Sequence, residues 1–455
     1  MAIPGIRRLL LAIAVLLTAA VPCPAEEFPL FDCIAPNVAF WKDVYSRYTT
    51  GQAILHDATD LSIVYEVMDL GPVGDDIGQA NRDSIKEALE KYKAIVQGLA
   101  AGRPPATAEE RRVRGLFAAD LPAARLQAAA GNIRWQRGQA DRFREGLIRS
   151  GAYLAEMKGI FRSQGLPEDL AYLPHVESSF QIRAGSKAGA AGVWQFTRST
   201  GSRFLRIGSA VDERYDPIRA SHAAARLLKE NHEALGDWPL ALTAYNHGAG
   251  GMRRAKAEKG DYPTIFREYN GPLFKFASRN FYSEFLAARE VAKDFRRYFG
   301  ELRLESPEKG CRELTVPAGL RFADACRRYG VSADTLADLN PALLKPVRDG
   351  GRRIPAGYRL RLPAGAKAAG PVLAAAAPEP AKGRPALVYR VRRGDTLSAV
   401  ARRHNLPAGA ILLANNLQSA DRIFPGQELR IPAAEGAAKA KAGSSRKGKT
   451  AAGGT

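Results

Sequence analysis

The sequence predicts a mainly α-helical protein that ends in two small βααβ units. Three observations predict this. Apolar residues recur at helical spacing through most of residues 28–300, where strand signals are few. After Tyr298 the composition changes, and residues 311–363 alternate a short strand, two short helices and a final strand. Residues 388–432 repeat that order after a stretch rich in proline, alanine and glycine.

The first residues, MAIPGIRRLLLAIAVLLTAAVPCPAEE, carry Arg7 and Arg8, then an apolar run from Leu9 to Leu17, then small residues around Cys23-Pro24-Ala25. This is the three-part pattern of a secretory signal over residues 1–25, and the run is too short to span a bilayer comfortably. A lipid-modified Cys23 is the alternative, although Pro22 is a poor fit to the small residue usually needed before it. Export points to the periplasm or cell envelope, leaves membrane association open, and argues against a nucleic-acid partner. The net charge of +20 over 455 residues favours an acidic partner, such as an anionic membrane or the polymers of a cell wall. Cleavage after Ala25 leaves Cys33, Cys311 and Cys326. An oxidising compartment permits a disulfide, with Cys311 and Cys326 the expected pair and three buried inert thiols the alternative.

Residues 28–135 read as an N-terminal helical region. Asn37 to Tyr48 is amphipathic and aromatic-rich, and helical patterns follow over Asp83 to Leu99 and Glu109 to Ala130. Residues 136–300 read as a second helical domain. One long helix is expected from Ala140 to Gln164, with Phe143, Leu147, Leu154, Met157 and Phe161 on its apolar repeat. Gly165 ends it and Pro167 suits the first turn of the next helix. Further helices are expected over Ala220 to Leu235, Leu240 to Tyr245 and Phe281 to Phe299. In residues 311–363 the expected elements are Arg312 to Val316, Phe322 to Tyr329, Ser332 to Leu339 and Tyr358 to Leu362. Residues 364–386 form a Pro/Ala linker with no means of building a core. Residues 387–432 contain Val388 to Arg392, Thr396 to His404, Ala408 to Asn415 and Glu428 to Ile431. The basic tail, 433–455, is expected to be disordered.

Several short motifs fail on context. GSSRKGKT, Gly443 to Thr450, matches a phosphate loop but lies in the tail, with no strand before it. His232-Glu233 opens like a zinc-protease helix, but Gly236 stands where the second histidine belongs. No metal-ligand spacing emerges, and no cofactor is expected. GAGG at Gly248 follows a helical segment, not the strand that a dinucleotide loop requires.

Glu177 is different. A lone glutamate is ordinarily a solvated surface charge. Here Leu170, Leu173, Val176 and Phe180 make an apolar turn of helix around it. Burial there disfavours the carboxylate and keeps the proton on, as a general acid requires. The small residues from Ala184 to Gly192, Ser186 among them, leave room for a bulky substrate. Gln195 supplies an amide, and Trp194 is suited either to stack on a sugar or to fill the core.

Three ordered motifs carry a resemblance. VESSF…SKAGAAGVWQF, AYNHGAGG from Ala244 and SRNFYSEFLAA from Ser278 resemble those of the lytic murein transglycosylases. With the upstream FWKDVYSRYTTGQAILHD, the chain is most similar to that family's membrane-bound type D group. VYRVRRGDTLSAVARRHNLPAGAILLANNL…IFPGQELRIP is similar to the peptidoglycan-binding LysM module, and residues 311–363 resemble it more loosely, without the GDTL turn. The resemblance implies a lysozyme-like helical catalytic domain that cleaves between N-acetylmuramic acid and N-acetylglucosamine. It implies Glu177 as the catalytic residue, and Ser186, Gln195, Tyr245 and Asn246 as substrate-binding residues. It also implies glycan binding by Gly394, Asp395, Thr396, Leu397 and Asn415. One departure matters: the family's tyrosine after the fourth-motif asparagine is Phe281 here, so Tyr282 is the candidate replacement.

Ordinary glycosidases use two carboxylates, and the motifs offer Glu177 alone. A single carboxylate suffices if the C6 hydroxyl of muramic acid attacks its own C1 and forms a 1,6-anhydro product. Asp169, Asp212, Glu213 and Asp216 are the candidates for a second carboxylate. The alternatives are a hydrolytic muramidase and a catalytically inactive wall-binding scaffold.

Overall fold

The computed structural model describes residues 27–431 except 73, 308–309, 317–318, 368–386, 393, 405, 407–410, 412–414 and 416–422. The expected signal 1–25, most of the expected linker 364–386, most of the expected helix from Ala408 to Asn415, and residues 433–455 with their phosphate-loop-like motif lie outside the described residues. The described residues up to Lys367 form one compact unit and those from Leu387 another.

The first unit is mainly helical. Helix Ala35–Ser46 opens on Pro36 and buries Val38, Phe40, Trp41, Val44 and Tyr45. It packs on helix Phe276–Lys293, which buries Phe281, Tyr282, Phe285 and Leu286. A buried Asn37 Nδ2 donates to Asn280 Oδ1 at 2.7 Å across that interface, satisfying two polar side chains that burial would otherwise penalise. Helix Pro217–Leu235 is capped by Asp216, which accepts from the amides of Ile218 and Arg219, and ends at a left-handed Gly236. Asp237 caps the next helix, Trp238–His247.

Three expected helices are divided. Glu109 to Ala130 becomes Ala108–Arg114 and Ala123–Gly131, because Pro122 keeps the residue before it out of helical conformation. Ala140 to Gln164 becomes Ala140–Ser150 and Leu154–Ser163. A Cβ on Gly151 would lie 2.4 Å from the Glu305 carbonyl oxygen, and the Glu305 amide donates to Ile148 O at 2.9 Å. A returning segment thus occupies the break. Phe281 to Phe299 begins earlier, at Phe276, and breaks at Asp294 before Phe295–Phe299. Helices Ala249–Lys259 and Tyr262–Glu268 are additional.

A three-stranded antiparallel sheet is also additional. Strand Gln52–Asp57 lies between Val64–Asp69 and Ile133–Arg137. Its central strand is buried on both faces from Ala53 to Asp57, so it lacks the polar–apolar alternation of a half-buried strand.

Residues 311–363 form an antiparallel pair, Arg312–Thr315 with Arg359–Leu362, around helices Phe322–Tyr329 and Ala333–Leu339, plus an unexpected short helix Lys345–Arg348. This unit is fused to the helical body. Val211 enters its core beside Val316, Leu336 and Leu343. The Asp212 amide donates to Ala342 O at 2.9 Å, and Leu344 returns a bond to Ala210 O at 3.0 Å. Arg361 reaches Asp216 at 3.3 Å and Glu313 at 3.2 Å. Among the described residues, Cys33, Cys311 and Cys326 are not joined to one another by a disulfide, so the expected Cys311–Cys326 pair is not formed. Cys326 packs against the unit's core, while Cys311 lines a cleft of about 700 Å³ between this unit and the helical body.

In the second unit, strands Leu387–Arg390 and Glu428–Ile431 pair antiparallel beside helix Leu397–Arg403. Leu397, Val400, Ile411, Leu429 and Ile431 make its core. Among the described residues of the chain, no helix is long and apolar enough to cross a membrane.

Candidate active site

Glu177 is the last residue of the short helix Leu173–Glu177, whose Leu173, Pro174 and His175 are buried. The chain then turns through Ser179 at φ 48° and Phe180 at φ 57°, left-handed conformations that side chains with a Cβ rarely adopt. Packing enforces the turn. Phe180 is buried 4.6 Å from the His175 ring, and Arg149 donates to Ser179 O through Nε at 3.2 Å and Nη2 at 2.8 Å. Gly146 admits the turn, since a Cβ there would lie 2.9 Å from Ser179 O. Ser178 Oγ ties the turn to Val193 O at 2.9 Å. The helix end bearing Glu177 is therefore fixed by strain that the surroundings offset.

Val193 belongs to the loop Ala184 to Phe196, so the bond from Ser178 joins that loop to the turn after Glu177. Gly192 is obligatory at φ 78°, because a Cβ there would lie 1.8 Å from Arg214 O. Arg214, paired with Asp212 at 2.7 Å, donates to Gly189 O at 2.8 Å and Phe196 O at 3.0 Å. Gln195 is left-handed at φ 46°, and its Nε2 donates to Gly192 O at 2.8 Å. Ser186 is exposed, and its Oγ accepts from the Ala190 amide at 3.0 Å. Trp194 fills the core, with Nε1 on Ser221 Oγ at 2.8 Å.

Tyr245 donates its hydroxyl to Trp194 O at 2.7 Å. Its ring lies nearly parallel to Phe281, 6.4 Å away at 9°. Asn246 is exposed, and its Oδ1 accepts from Ser278 Oγ at 2.9 Å. Tyr282 goes elsewhere. It is fully buried, donates to Pro29 O at 2.9 Å and meets Tyr262 edge-on. A helix turns about 100° per residue, so Phe281 and Tyr282 cannot face the same neighbour. The expected substitution of Tyr282 for the family's tyrosine is corrected: Phe281 holds the place beside Tyr245, without a hydroxyl.

Burial first, and then Glu284, push the Glu177 carboxyl up to about 8. Burial, partly opposed by Arg134, pushes Glu284 up to about 8 as well. Tyr245 is raised well above its ordinary value by burial and then by Glu177. Tyr45 is raised likewise, by burial, then Glu284, then Glu177. His175 is lowered to about 3 by burial, then Arg149, so it stays neutral. The carboxyl that acts on Glu177 is therefore Glu284, not one of the four sequence candidates. Asp169 is paired with Arg289 at 2.6 Å and Lys293 at 3.1 Å. Asp212 holds Arg214, Asp216 caps a helix and pairs with Arg361, and Glu213 accepts from the Arg206 amide at 2.7 Å. Glu284, Tyr45 and Arg134 were missed. For Glu284 a signal existed: it stands among Phe281, Tyr282, Phe285 and Leu286, the same apolar setting that singles out Glu177.

In the second unit, Gly394 is exposed at φ 90° and Asp395 Oδ2 accepts from Tyr389 at 2.6 Å and the Arg392 amide at 2.8 Å. Thr396 caps the following helix and Leu397 is buried. Asn415 spends its side chain on Ile411 O, Arg430 O and the Arg430 amide. Asn340 does the same in residues 311–363, with Leu336 O, Arg361 O and the Arg361 amide. Asp395, Thr396, Leu397 and Asn415 thus shape the unit, and Gly394 lies at its surface.

Residues 159–265 match the transglycosylase SLT domain, and residues 389–432 match the LysM domain. Over 306 residues the chain is 26% identical to membrane-bound lytic murein transglycosylase D of Escherichia coli (strain K12), covering 64% of this chain and 65% of that protein. The counterpart from Escherichia coli O6:H1 matches to the same extent. The chain thus spans slightly less than two thirds of the length of these relatives. The X-ray structure of an inactive mutant of lytic transglycosylase Slt from Pseudomonas aeruginosa is 18% identical, covering 44% of this chain and 30% of that one at a TM-score of 0.27, a likeness that carries no argument. The chain carries an SLT domain and a LysM domain, and it is homologous to the transglycosylase D proteins.

Proposed function

We propose that this chain is a peptidoglycan lytic transglycosylase of the cell envelope, exported by residues 1–25 and held to the wall by its LysM domain. The observation that carries the reading is Glu177. It is a half-buried carboxyl whose burial keeps its proton near neutrality, it lies within the SLT match, and its charge reaches the Tyr245 hydroxyl. A group poised near the working pH is what general acid–base catalysis requires.

Glu177 protonates the oxygen linking N-acetylmuramic acid to N-acetylglucosamine, and the bond from that oxygen to muramic C1 breaks. The muramic C6 hydroxyl attacks C1 and closes the 1,6-anhydro ring. Its proton passes to the Glu177 carboxylate, so the acid is restored and no water is consumed. Holding nucleophile and electrophile on one sugar supplies the effective molarity. Gln195, Tyr245 and Asn246 line the cleft that receives the glycan, and Ser186 lies on the loop at its rim. The domains fall at residues 28–135, 136–300, 311–363 and 387–432. The LysM domain raises the local concentration of wall substrate without altering the chemistry. Association with the membrane fits the relatives' description and is part of the same proposal.

The second reading is hydrolysis, favoured by the presence of Glu284 as a second carboxyl. The masses of muropeptides released from purified sacculi decide. Products one water lighter than reducing-end products support the lytic reading, and mostly reducing-end products overturn it.

A further inference from the structure

Helix Phe276–Lys293 carries Glu284 three residues after Phe281, so the two side chains leave the same face. Phe281 lies along the Tyr245 ring, and Tyr245 is fixed on Trp194 O. Helix Leu173–Glu177, which ends on Glu177, packs against the helix that bears Glu284, and the charge of Glu284 reaches Glu177. Tyr45, from helix Ala35–Ser46, senses both carboxyls. Among the described residues, neither Glu177 nor Glu284 forms an ion pair or a side-chain hydrogen bond.

The pair is asymmetric. Arg134, on strand Ile133–Arg137, sets its guanidinium 3.5 Å from the centre of the Phe276 ring, at the start of the helix that bears Glu284. Its Nε is buried without a hydrogen-bond partner. Arg134 favours the ionised form of Glu284. The other groups around the pair leave Glu284 as the relevant charge. Tyr45 and Tyr245 are too weakly acidic to ionise near neutrality, His175 stays neutral against Phe143 and Phe180, and Arg149 is spent on Ser179 O.

Resting on the reading of Glu177 as the acid, we propose that Glu284 is a positioning residue: under the positive charge of Arg134 it gives up its proton first, and so keeps the remaining proton of the pair on Glu177. Two neighbouring carboxyls resist being charged together, and a cation beside one of them decides which ionises first. Glu284 acts through Glu177 and takes no proton from the substrate.

The test follows the carboxyl carbons by NMR in the full chain with glutamate labelled at its side-chain carboxyl, using Glu177→Gln and Glu284→Gln to assign the two signals. In Glu284→Gln, Glu177 is expected to lose its proton about one pH unit or more lower, while burial still holds it above the ordinary range. The alkaline limb of kcat/KM on soluble glycan moves down equally. A merely structural role lowers kcat/KM or Tm and leaves both titrations where they were. An unmoved Glu177 titration overturns the proposal whether or not the chain cleaves glycan. A shifted titration in a chain that cleaves no wall glycan supports the coupling and overturns the assigned activity instead. Should Glu284→Gln fail to fold, the unsubstituted chain decides: Glu177 shows a second inflection at the ionisation of Glu284 if the proposal holds, and a single inflection overturns it.

Discussion

Replacing Glu177 by glutamine is expected to abolish turnover and, at alkaline pH, to stabilise the fold. The amide keeps the shape of a protonated carboxyl and has no proton to give. The magnitude follows from the displacement of the carboxyl from 4.5 to about 8. Above pH 4.5 the unfolded chain releases this proton, whereas the folded chain holds it to about pH 8. The folded state then binds more protons, so stability falls with rising pH across that window and stays low above it. At about 1.4 kcal/mol per pH unit the ceiling is about 5 kcal/mol. Solvent reaching the half-buried side chain lowers that, and about 2–3 kcal/mol is the expected gain for Glu177→Gln at pH 8 or above. At pH 4 the two proteins should differ little. Thermal unfolding of both at pH 4, 6 and 8 reads the effect as a Tm difference that grows with pH, reaching about 5 °C. Loss of turnover should be about a hundredfold to ten-thousandfold. Equal Tm values at pH 8 would refute the claim that Glu177 is a desolvated, proton-bearing acid, and undiminished digestion of sacculi would refute its role.

Other substitutions probe the supports of the cleft and the terminal units. Gly192→Ala forces a Cβ onto the Arg214 carbonyl and should cost about 3 kcal/mol or more, read by urea unfolding. Tyr282→Phe removes the bond to Pro29 O and should lower stability by about 1 kcal/mol with kcat unchanged, because that side chain does not reach the cleft. Asn415→Ala should unfold or loosen the second unit, seen by amide exchange, since it orphans the Arg430 amide and carbonyl. A chain ending at 367 should keep the Tm of the helical body, cleave soluble glycan fragments and pellet less with sacculi. A chain ending at 300 should lose several degrees, because Val211 and Asp216 are uncovered.

Much of the helical class was legible because amphipathic periodicity is local. Asn37 to Tyr48 and Ala220 to Leu235 lie close to observed helices for that reason. The errors arose where distant residues intervene. The break at Gly151 is made by Glu305, more than 150 residues away, and nothing near Gly151 announces it. Strand Gln52–Asp57 is completed by Ile133–Arg137 and is buried on both faces, so its pattern resembles any short apolar run. The burial of Glu177 was legible because its own neighbours are apolar. Glu284 met the same criterion, but it lay inside a motif already assigned to Phe281 and Tyr282, and its proximity to Glu177 is tertiary. The disulfide expectation failed because nearness in sequence does not bring two sulfurs together.

Residues 311–363 and 387–432 share one internal device, the asparagine that braces the last strand. In residues 311–363 the strand that Asn340 braces carries Arg361, which grips Asp216. Two residues before Asp216 stands Arg214, whose guanidinium holds the carbonyls of Gly189 and Phe196 around Gln195. A continuous set of bonds thus runs from residues 311–363 to the loop that carries Gln195. In residues 387–432 the strand braced by Asn415 carries Arg430 at the matching place, and it is exposed. Damage to residues 311–363 should therefore appear in the turnover of soluble glycan, because it loosens the loop that carries Gln195. Damage to residues 387–432 should appear only in retention on insoluble wall, because a tether changes concentration and leaves the reacting geometry alone. Arg361→Met and Asn415→Ala are the paired variants. If both lowered only retention, the bonds from Arg361 to that loop would be without functional weight.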